Sequence, residues 1–246
     1  MQAAVGAYRG TGRAAQMDRV NLKSASRQMV SPELSLARGH TALLIAGAAL
    51  AGFGAILGAV MTRRSDAIDL GIAMRIQSER HASFAALMEA VSWPGFPPQS
   101  RVIPPVVIAA LVAKRHRTEA LFLSLAWGSA LIATVVKAVV RRPRPLPEQV
   151  RVILAPLGGS SFPSGHVLTY VGVYGFMAFV AHTTIASDVV RPPVAFGLVG
   201  LVCLIGPSRI YQGHHWPTDV AASYTLGMAY LVGLIAIYQR VKAREV

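Results

Sequence analysis

Charge is scarce in this chain. Only 14% of its 246 residues are Asp, Glu, Lys or Arg, and 53% are hydrophobic. An ordinary soluble domain is about 25% charged, so a water-soluble globule is excluded. Acidic residues are the scarcer sign, 11 against 24 Lys and Arg, which leaves a net charge of +13. Cysteine is nearly absent: Cys203 alone excludes an intramolecular disulfide and a Cys-based metal site. Aromatics make up 7%, and no basic stripe is interleaved with them, so nucleic acid is not an expected partner. There is no P-loop, no Ser-x-Gly elbow and no His-Glu-x-x-His helix, which removes the chemistries those motifs carry. No internal repeat is visible.

What is abundant is long apolar sequence. Several windows approach the roughly 20 apolar residues that cross a bilayer. Six spans are predicted, near Thr41–Met61, Val102–Ala113 (extendable toward the N-terminus), Ala120–Val140, Gly165–Ile185, Val194–Pro207 and Val220–Tyr238. The fold class is all-α and polytopic. Between the first two spans, Ile68, Ile72, Ile76, Phe84, Leu87, Met88 and Val91 recur at near-helical spacing among charged residues. That segment is too polar to cross and reads as an amphipathic helix in the interface. Trp93 to Pro98 then breaks it. The domain reading is a basic, mobile cytoplasmic segment over 1–39, a six-helix membrane domain over 40–240 and a cytoplasmic tail over 241–246. The first apolar run starts too late for a cleaved signal peptide and reads as an uncleaved span.

With six spans, the leader, Lys114 to Arg117, Arg191 and the tail Arg240, Lys242 and Arg244 fall on one side. Positive charge marks that side as cytoplasmic, in a plasma (inner) membrane. Arg63 and Arg64 count against the assignment, as do the arginines of the 141–151 loop, although the latter belong to a charged cluster with its own explanation. Three charged segments then share the opposite, non-cytoplasmic face: Lys137 to Pro145, Pro163-Ser164-Gly165-His166, and Ser208-Arg209 to Asp219. Charge at the ends of membrane helices is costly and marks function.

The chemistry of these segments suits a phosphoryl group. Its charge in transfer spreads over the equatorial oxygens, so catalysis rests on positioning and electrostatics. Lys137, Arg144 and Arg209 can cradle it, arginine as a planar fork and lysine as a point charge. Arg141, Arg142 and Arg151 read instead as headgroup-snorkelling residues. Ser164 reads as an N-cap, and Gly165 lets backbone approach an anion at a helix start. His166, just inside that helix, can protonate a leaving oxygen. Pro217 reads as the first residue of another helix. Asp219 suits its first turn, yet also lies within reach of His215, where a carboxylate fixes the tautomer and leaves the other nitrogen free to attack. His214 reads as a bystander. Zinc held by His166, His214, His215 and Asp219 is the competing use, opposed by the three neighbouring cations. His40, His81, His116 and His182 read as ordinary interfacial residues.

The three segments resemble the signature of the type-2 phosphatidic acid phosphatase superfamily: Lys-x6-Arg-Pro, Pro-Ser-Gly-His and Ser-Arg-x5-His-x3-Asp. Lys137 to Arg144-Pro145, Pro163 to His166, and Ser208-Arg209, His215 and Asp219 fit without departure. The spacing selects His215 over His214. The motifs cover 137–219, and the span pattern extends the likeness to about 40–240. The resemblance implies His215 as the nucleophile of a phosphohistidine, Asp219 as its orienting group and His166 as the acid. It implies phosphate binding by Lys137, Arg144, Arg209, Ser164 and Gly165, no metal or other cofactor, and a site at the outer leaflet. Vanadium haloperoxidases share that site, but six spans point to a lipid.

The expected activity is hydrolysis of a lipid phosphate monoester or diphosphate, of the phosphatidic acid, phosphatidylglycerol phosphate or isoprenoid diphosphate class. The alternatives are a lipid phosphotransferase with an alcohol acceptor and a non-enzymatic transporter of anionic lipid. Expected partners are the lipid substrate and the bilayer.

Overall fold

The computed structural model describes residues 32–153 and 158–245. Most of the basic leader therefore lies outside the described residues. The chain divides into two units, 1–43 and 44–246. In the first, the described residues are helical from Pro32. The site lies wholly in the second.

All regular structure among the described residues is helical. Helix α1 is Pro32–Met61, α2 Asp66–Gln77, α3 Ala82–Ser92, α4 Gln99–Ala113, α5 Arg117–Trp127, α6 Ser129–Val140, α7 Gly165–Thr184, α8 Arg191–Tyr211 and α9 Pro217–Lys242. Five stretches are long and apolar enough to cross a membrane: Gly39–Met61, Arg117–Val140, Gly165–Thr184, Arg191–Tyr211 and Pro217–Lys242. Helices α3 and α4, joined through the Trp93–Gly95 turn and bent by 60°, pass the same test only as a pair, which is the geometry of a broken span or a re-entrant loop. Toward the N-terminus of the expected second span the helix is interrupted, where Pro94, Pro97 and Pro98 withhold backbone donors.

The amphipathic segment after α1 is two helices, not one. The helix lapses at Glu79–His81, between α2 and α3. Helix α2 turns Asp69 and Gln77 inward, and α3 packs against α8 through Phe84 on Tyr211. The polar residues of α2 therefore serve the interior of the protein.

Helix α7 is the central element, its residues from Val167 to Ala181 mostly buried. Close approach of backbones makes this possible. A Cβ on Gly172 would collide with the Ala126 carbonyl and Ser129, and one on Gly227 would sit 2.9 Å from Cβ of Val171. Phe122, Phe176 and Tyr238 pack edge-on across α5, α7 and α9. The outward faces read differently. Leu131, Val135 and Val139 of α6 are four apart and exposed by 70%, 64% and 77%, a stripe suited to lipid rather than water.

Candidate phosphate site

Short interruptions in the helices deliver the charged side chains. Helix α6 stops where Arg141 adopts a left-handed backbone, with φ of 49°. That conformation is unfavourable for a residue with a Cβ, and it reverses the chain so that Arg141 faces out while Arg142 is buried. Helix α7 starts after Ser164, which holds an extended backbone. Helix α8 ends at Tyr211, and Gly213, at φ of 72°, runs so close to the Arg151 carbonyl that a Cβ would overlap it. Helix α9 starts with Pro217 at its first position, as predicted.

His215 sits where these ends meet, 3% exposed. Its Nδ1 lies 2.7 Å from the Ser161 carbonyl. A carbonyl only accepts, so Nδ1 carries the proton and Nε2 keeps the lone pair. Nε2 faces Arg144, 3.4 Å away. Asp219 lies behind, with Oδ2 3.6 Å from Nδ1. Both of its oxygens are already engaged: Oδ1 accepts from Arg142 at 2.6 Å, and Oδ2 accepts from the Trp216 N–H at 2.9 Å. The Ser161 carbonyl therefore makes the orienting contact, and Asp219 contributes charge from behind. Burial pushes His215 well below the usual histidine range, and Arg209, Arg144 and Lys137 push it further, against the Ser161 carbonyl. Its imidazole is neutral and nucleophilic at physiological pH.

The sequence-predicted cations gather round it. Lys137 donates to the Ser160 carbonyl at 2.7 Å. Arg144 donates to the carbonyls of His214, at 2.7 Å, and Gly158, at 3.2 Å. Arg209 is fully buried. It contacts Gln212 Oε1 at 2.6 Å and His214 Nδ1 at 2.5 Å, beneath the Phe96 ring. The same ring stands edge-on to His166, with centroids 5.1 Å apart. His214 is thus no bystander: it fixes Arg209 through its ring and Arg144 through its carbonyl. Burial, then the neighbouring arginines, hold it neutral, down to about 4.

Two further readings change. Arg142 does not snorkel. It is 8% exposed and bridges Asp69 and Asp219, each at 2.6 Å, because a buried guanidinium needs compensating carboxylates. Burial disfavours its charge, but Asp219 and Asp69 outweigh that and raise its pKa. Arg151 stacks on Tyr211 at 5.0 Å. Ser164 stands at the N-cap but makes no side-chain cap. Its N–H donates to Ser223 at 2.7 Å, and its hydroxyl is left free. Gly165 has ordinary space around it, its nearest neighbours for an added Cβ being Ala133 and Lys137 at 4.0 Å.

Among the described residues, six buried side-chain atoms lack a hydrogen-bond partner. Four belong to this site: Ser164 Oγ, His166 Nε2, Arg209 Nε and His214 Nε2. Buried polar atoms are rarely orphaned without a reason, and here an anion would satisfy the donors. A cavity of about 210 Å³ opens beside His166, lined among others by Gly95, Arg101, Trp127, Gly165 and Tyr170. A second, of about 580 Å³, runs along Arg141 to Arg144 and Arg63.

Sequence reasoning missed Asp69, Ser161, Gly95 and Ser223. Asp69 and Gly95 lie outside the motifs, and a backbone carbonyl such as that of Ser161 has no residue-type signal. Asp69 alone left a trace, as a carboxylate on the apolar side of α2.

Fold and site together define a helical membrane protein with a cationic anion site built round two histidines. Residues 117–243, more than half of the chain, match the family model described as the PAP2 superfamily. The chain belongs to that superfamily. Phosphatidylglycerophosphatase B of Bacillus subtilis (strain 168) is 31% identical over 138 residues, 52% of this chain. The match spans 64% of that relative, less than two thirds of its length. The crystal structure of the first transmembrane PAP2 type phosphatidylglycerolphosphate phosphatase from Bacillus subtilis has a similar fold. Its TM-score is 0.70 at 21% identity, over 80% of this chain and 96% of that one. Aquifex aeolicus LpxE aligns with a TM-score of 0.51 at 23% identity, over 68% of this chain and 93% of that one. At these identities the two structures speak to the fold.

Proposed function

We propose that this protein hydrolyses a lipid phosphate monoester or diphosphate through a phosphohistidine on His215. The observation that carries the reading is the convergence of orphaned buried donors with a neutral His215 whose free nitrogen faces Arg144. In the first step the Nε2 lone pair attacks phosphorus. The bond from phosphorus to the lipid oxygen breaks, and His166 gives that oxygen a proton. In the second step water attacks phosphorus, the nitrogen–phosphorus bond breaks, and His166 takes the proton released by the water. Lys137, Arg144 and Arg209, with the Ser164 hydroxyl and the Gly165 N–H, neutralise the charge on the equatorial oxygens. Asp219 steadies the positive charge that develops on His215.

Three cations around His215 support a metal-independent reaction, since they do the electrostatic work a divalent ion would do. The named activity of the Bacillus relative favours a glycerophospholipid phosphate, with phosphatidic acid and isoprenoid diphosphates as the neighbouring classes. The site faces the non-cytoplasmic side of a bacterial-type inner membrane in this reading, as the distribution of Lys and Arg between loops suggests.

The test is release of inorganic phosphate from these three lipids in detergent, with EDTA present and no alcohol added. Wild type is expected to turn over, and His215→Ala to lose turnover on every lipid, because no covalent intermediate forms. Loss of activity in EDTA that zinc or magnesium restores would overturn the metal-free reading. Turnover only with an alcohol present would mark a phosphotransferase. An active His215→Ala would refute the mechanism.

A further inference from the structure

Two groups face Nδ1 of His215: the Ser161 carbonyl, at 2.7 Å, and the Asp219 carboxylate, at 3.6 Å. Both are fixed by one residue. The Arg142 guanidinium holds Asp219 Oδ1 at 2.6 Å. The Arg142 carbonyl accepts from the Ser161 N–H at 2.8 Å. The next carbonyl, of Pro143, accepts from the Ser161 hydroxyl at 3.0 Å and from the Trp216 indole at 3.2 Å.

Arg142 is in turn fixed from α2. Asp69 is fully buried, 149 residues away in sequence from Thr218 in the first turn of α9. Its Oδ2 accepts from the Arg142 guanidinium at 2.6 Å and from the Thr218 hydroxyl at 2.7 Å. Its Oδ1 accepts from the Thr218 N–H at 2.8 Å. Thr218 directly precedes Asp219, and its hydroxyl also receives Arg142 at 2.8 Å. A backbone N–H in the first turn of a helix has no partner inside that helix. For α9 a carboxylate from a distant helix supplies it.

We propose that Asp69 is a positioning residue for the reaction at His215. It acts by two routes, through Arg142 onto both groups that face Nδ1, and through Thr218 onto the helix end from which Asp219 projects. The arrangement also keeps Asp219 from turning fully onto His215, because Arg142 and the Trp216 N–H pin one oxygen each. The nucleophile is therefore aimed by a carbonyl and backed by a half-neutralised carboxylate. Asp69 touches no phosphate-binding side chain, so its effect belongs to turnover rather than to substrate binding. The inference rests on the phosphatase reading, which the His215→Ala comparison tests separately.

The experiment is phosphate release from phosphatidic acid by the full chain in detergent, resolved into kcat and KM. Asp69→Asn keeps the shape but removes the charge that holds Arg142. We expect kcat to fall about 10- to 100-fold, the range for a lost ion-assisted hydrogen bond felt in the barrier. KM should stay within about threefold, since Lys137, Arg144 and Arg209 remain. Combined with Arg142→Gln, Asp69→Asn should add less than about twofold, because contacts in one network are not additive. Thr218→Val removes both hydroxyl bonds of the cluster, to Asp69 and from Arg142, without changing its bulk, and it serves as a parallel variant should Asp69→Asn not fold. Its kcat should fall by about three- to tenfold at constant KM. Unchanged kcat in a folded Asp69→Asn or Thr218→Val protein overturns the proposal. So does a loss confined to KM, or a double variant whose losses multiply. If wild type releases no phosphate while Asp69→Asn folds normally, the phosphatase reading has failed.

Discussion

Gly95 offers a way to move His166, the proposed acid, without altering any of the proposed catalytic groups. It closes the turn between α3 and α4 and lies against His166. A Cβ added there would overlap the His166 ring at Cδ2 and lie 3.0 Å from both Nε2 and Cε2 of Tyr170. Apolar heavy atoms settle near 3.5–4.0 Å, so the imidazole has to move by about 1 Å. Tyr170 gives little room in the other direction, since it is buried and its hydroxyl is tied to the Val91 carbonyl at 2.8 Å. The Gly95 backbone is not left-handed, so alanine costs no conformational strain. A displacement of about 1 Å at a reacting group costs about 10²-fold in rate. Gly95→Ala is therefore expected to lower kcat by about 100-fold on an alkyl phosphate lipid. General acid catalysis is worth about 10²–10⁴-fold and shrinks as the leaving oxygen becomes less basic. An aryl phosphate or a diphosphate should recover much of the loss. In the His166→Ala background the overlap with the imidazole is gone and only the 3.0 Å contact with Tyr170 remains, so Gly95→Ala should then add little. The assay is phosphate release by the two single variants and the double variant on both substrate types. Full activity of Gly95→Ala, or losses that multiply in the double variant, would refute the argument that Gly95 sets the place of the acid.

His214 makes stability depend on pH. In the folded protein it is held down to about 4 by burial and the arginines, whereas unfolded histidine titrates near 6.5. As pH falls below about 6.5 the unfolded chain takes up a proton that the folded protein refuses, so stability drops until about pH 4. The loss from this residue is about 2 kcal/mol at pH 5. Thermal unfolding between pH 7 and 5 should show the slope, and His214→Gln should flatten it; an unchanged slope would contradict the burial argument. Orientation is open to thiol labelling from outside, using single cysteines at the two ends of the chain in a Cys203→Ser background. Both ends are expected to be inaccessible from outside in intact cells, and an accessible N-terminus would move the site to the cytoplasmic face.

The membrane class and the convergence of three distant segments were legible because each rests on residue type at fixed spacing. Lys137 and Arg209 are cations at the ends of apolar helices and Arg144 stands at a fixed spacing from the first, and those signals survive without coordinates. What escaped the sequence depended on direction. Arg141 and Arg142 are adjacent and chemically identical, yet a left-handed turn at the first sends one outward and buries the second. No periodicity argument separates them. The break between α2 and α3 escaped for a similar reason. The apolar positions stop at Ile76 and resume at Phe84, a gap that a single amphipathic helix can also carry, and only the inward turn of Asp69 and Gln77 shows that α2 serves the interior. Ser164 was placed correctly at its helix start, but the capping role inferred from residue type was not found. The free hydroxyl is the more telling result, since an N-cap serine that declines to cap is available to a ligand.

The division of labour around His215 follows from where charge is allowed to remain. A free buried carboxylate beside His215 would draw a proton onto the ring and remove the nucleophile. Arg142 prevents that by taking up much of the charge of Asp219, while burial, and after it Arg209 and Arg144, keep the imidazole unprotonated. In the proposed reaction the balance reverses when phosphorus is attacked. Positive charge appears on His215 as negative charge on the phosphoryl oxygens passes to Arg144, Arg209 and Lys137. Asp219, 3.6 Å behind Nδ1, then faces a cation it can stabilise. A carboxylate slightly too far to hold the resting ring favours the transition state over the ground state, and only such differential interactions lower a barrier.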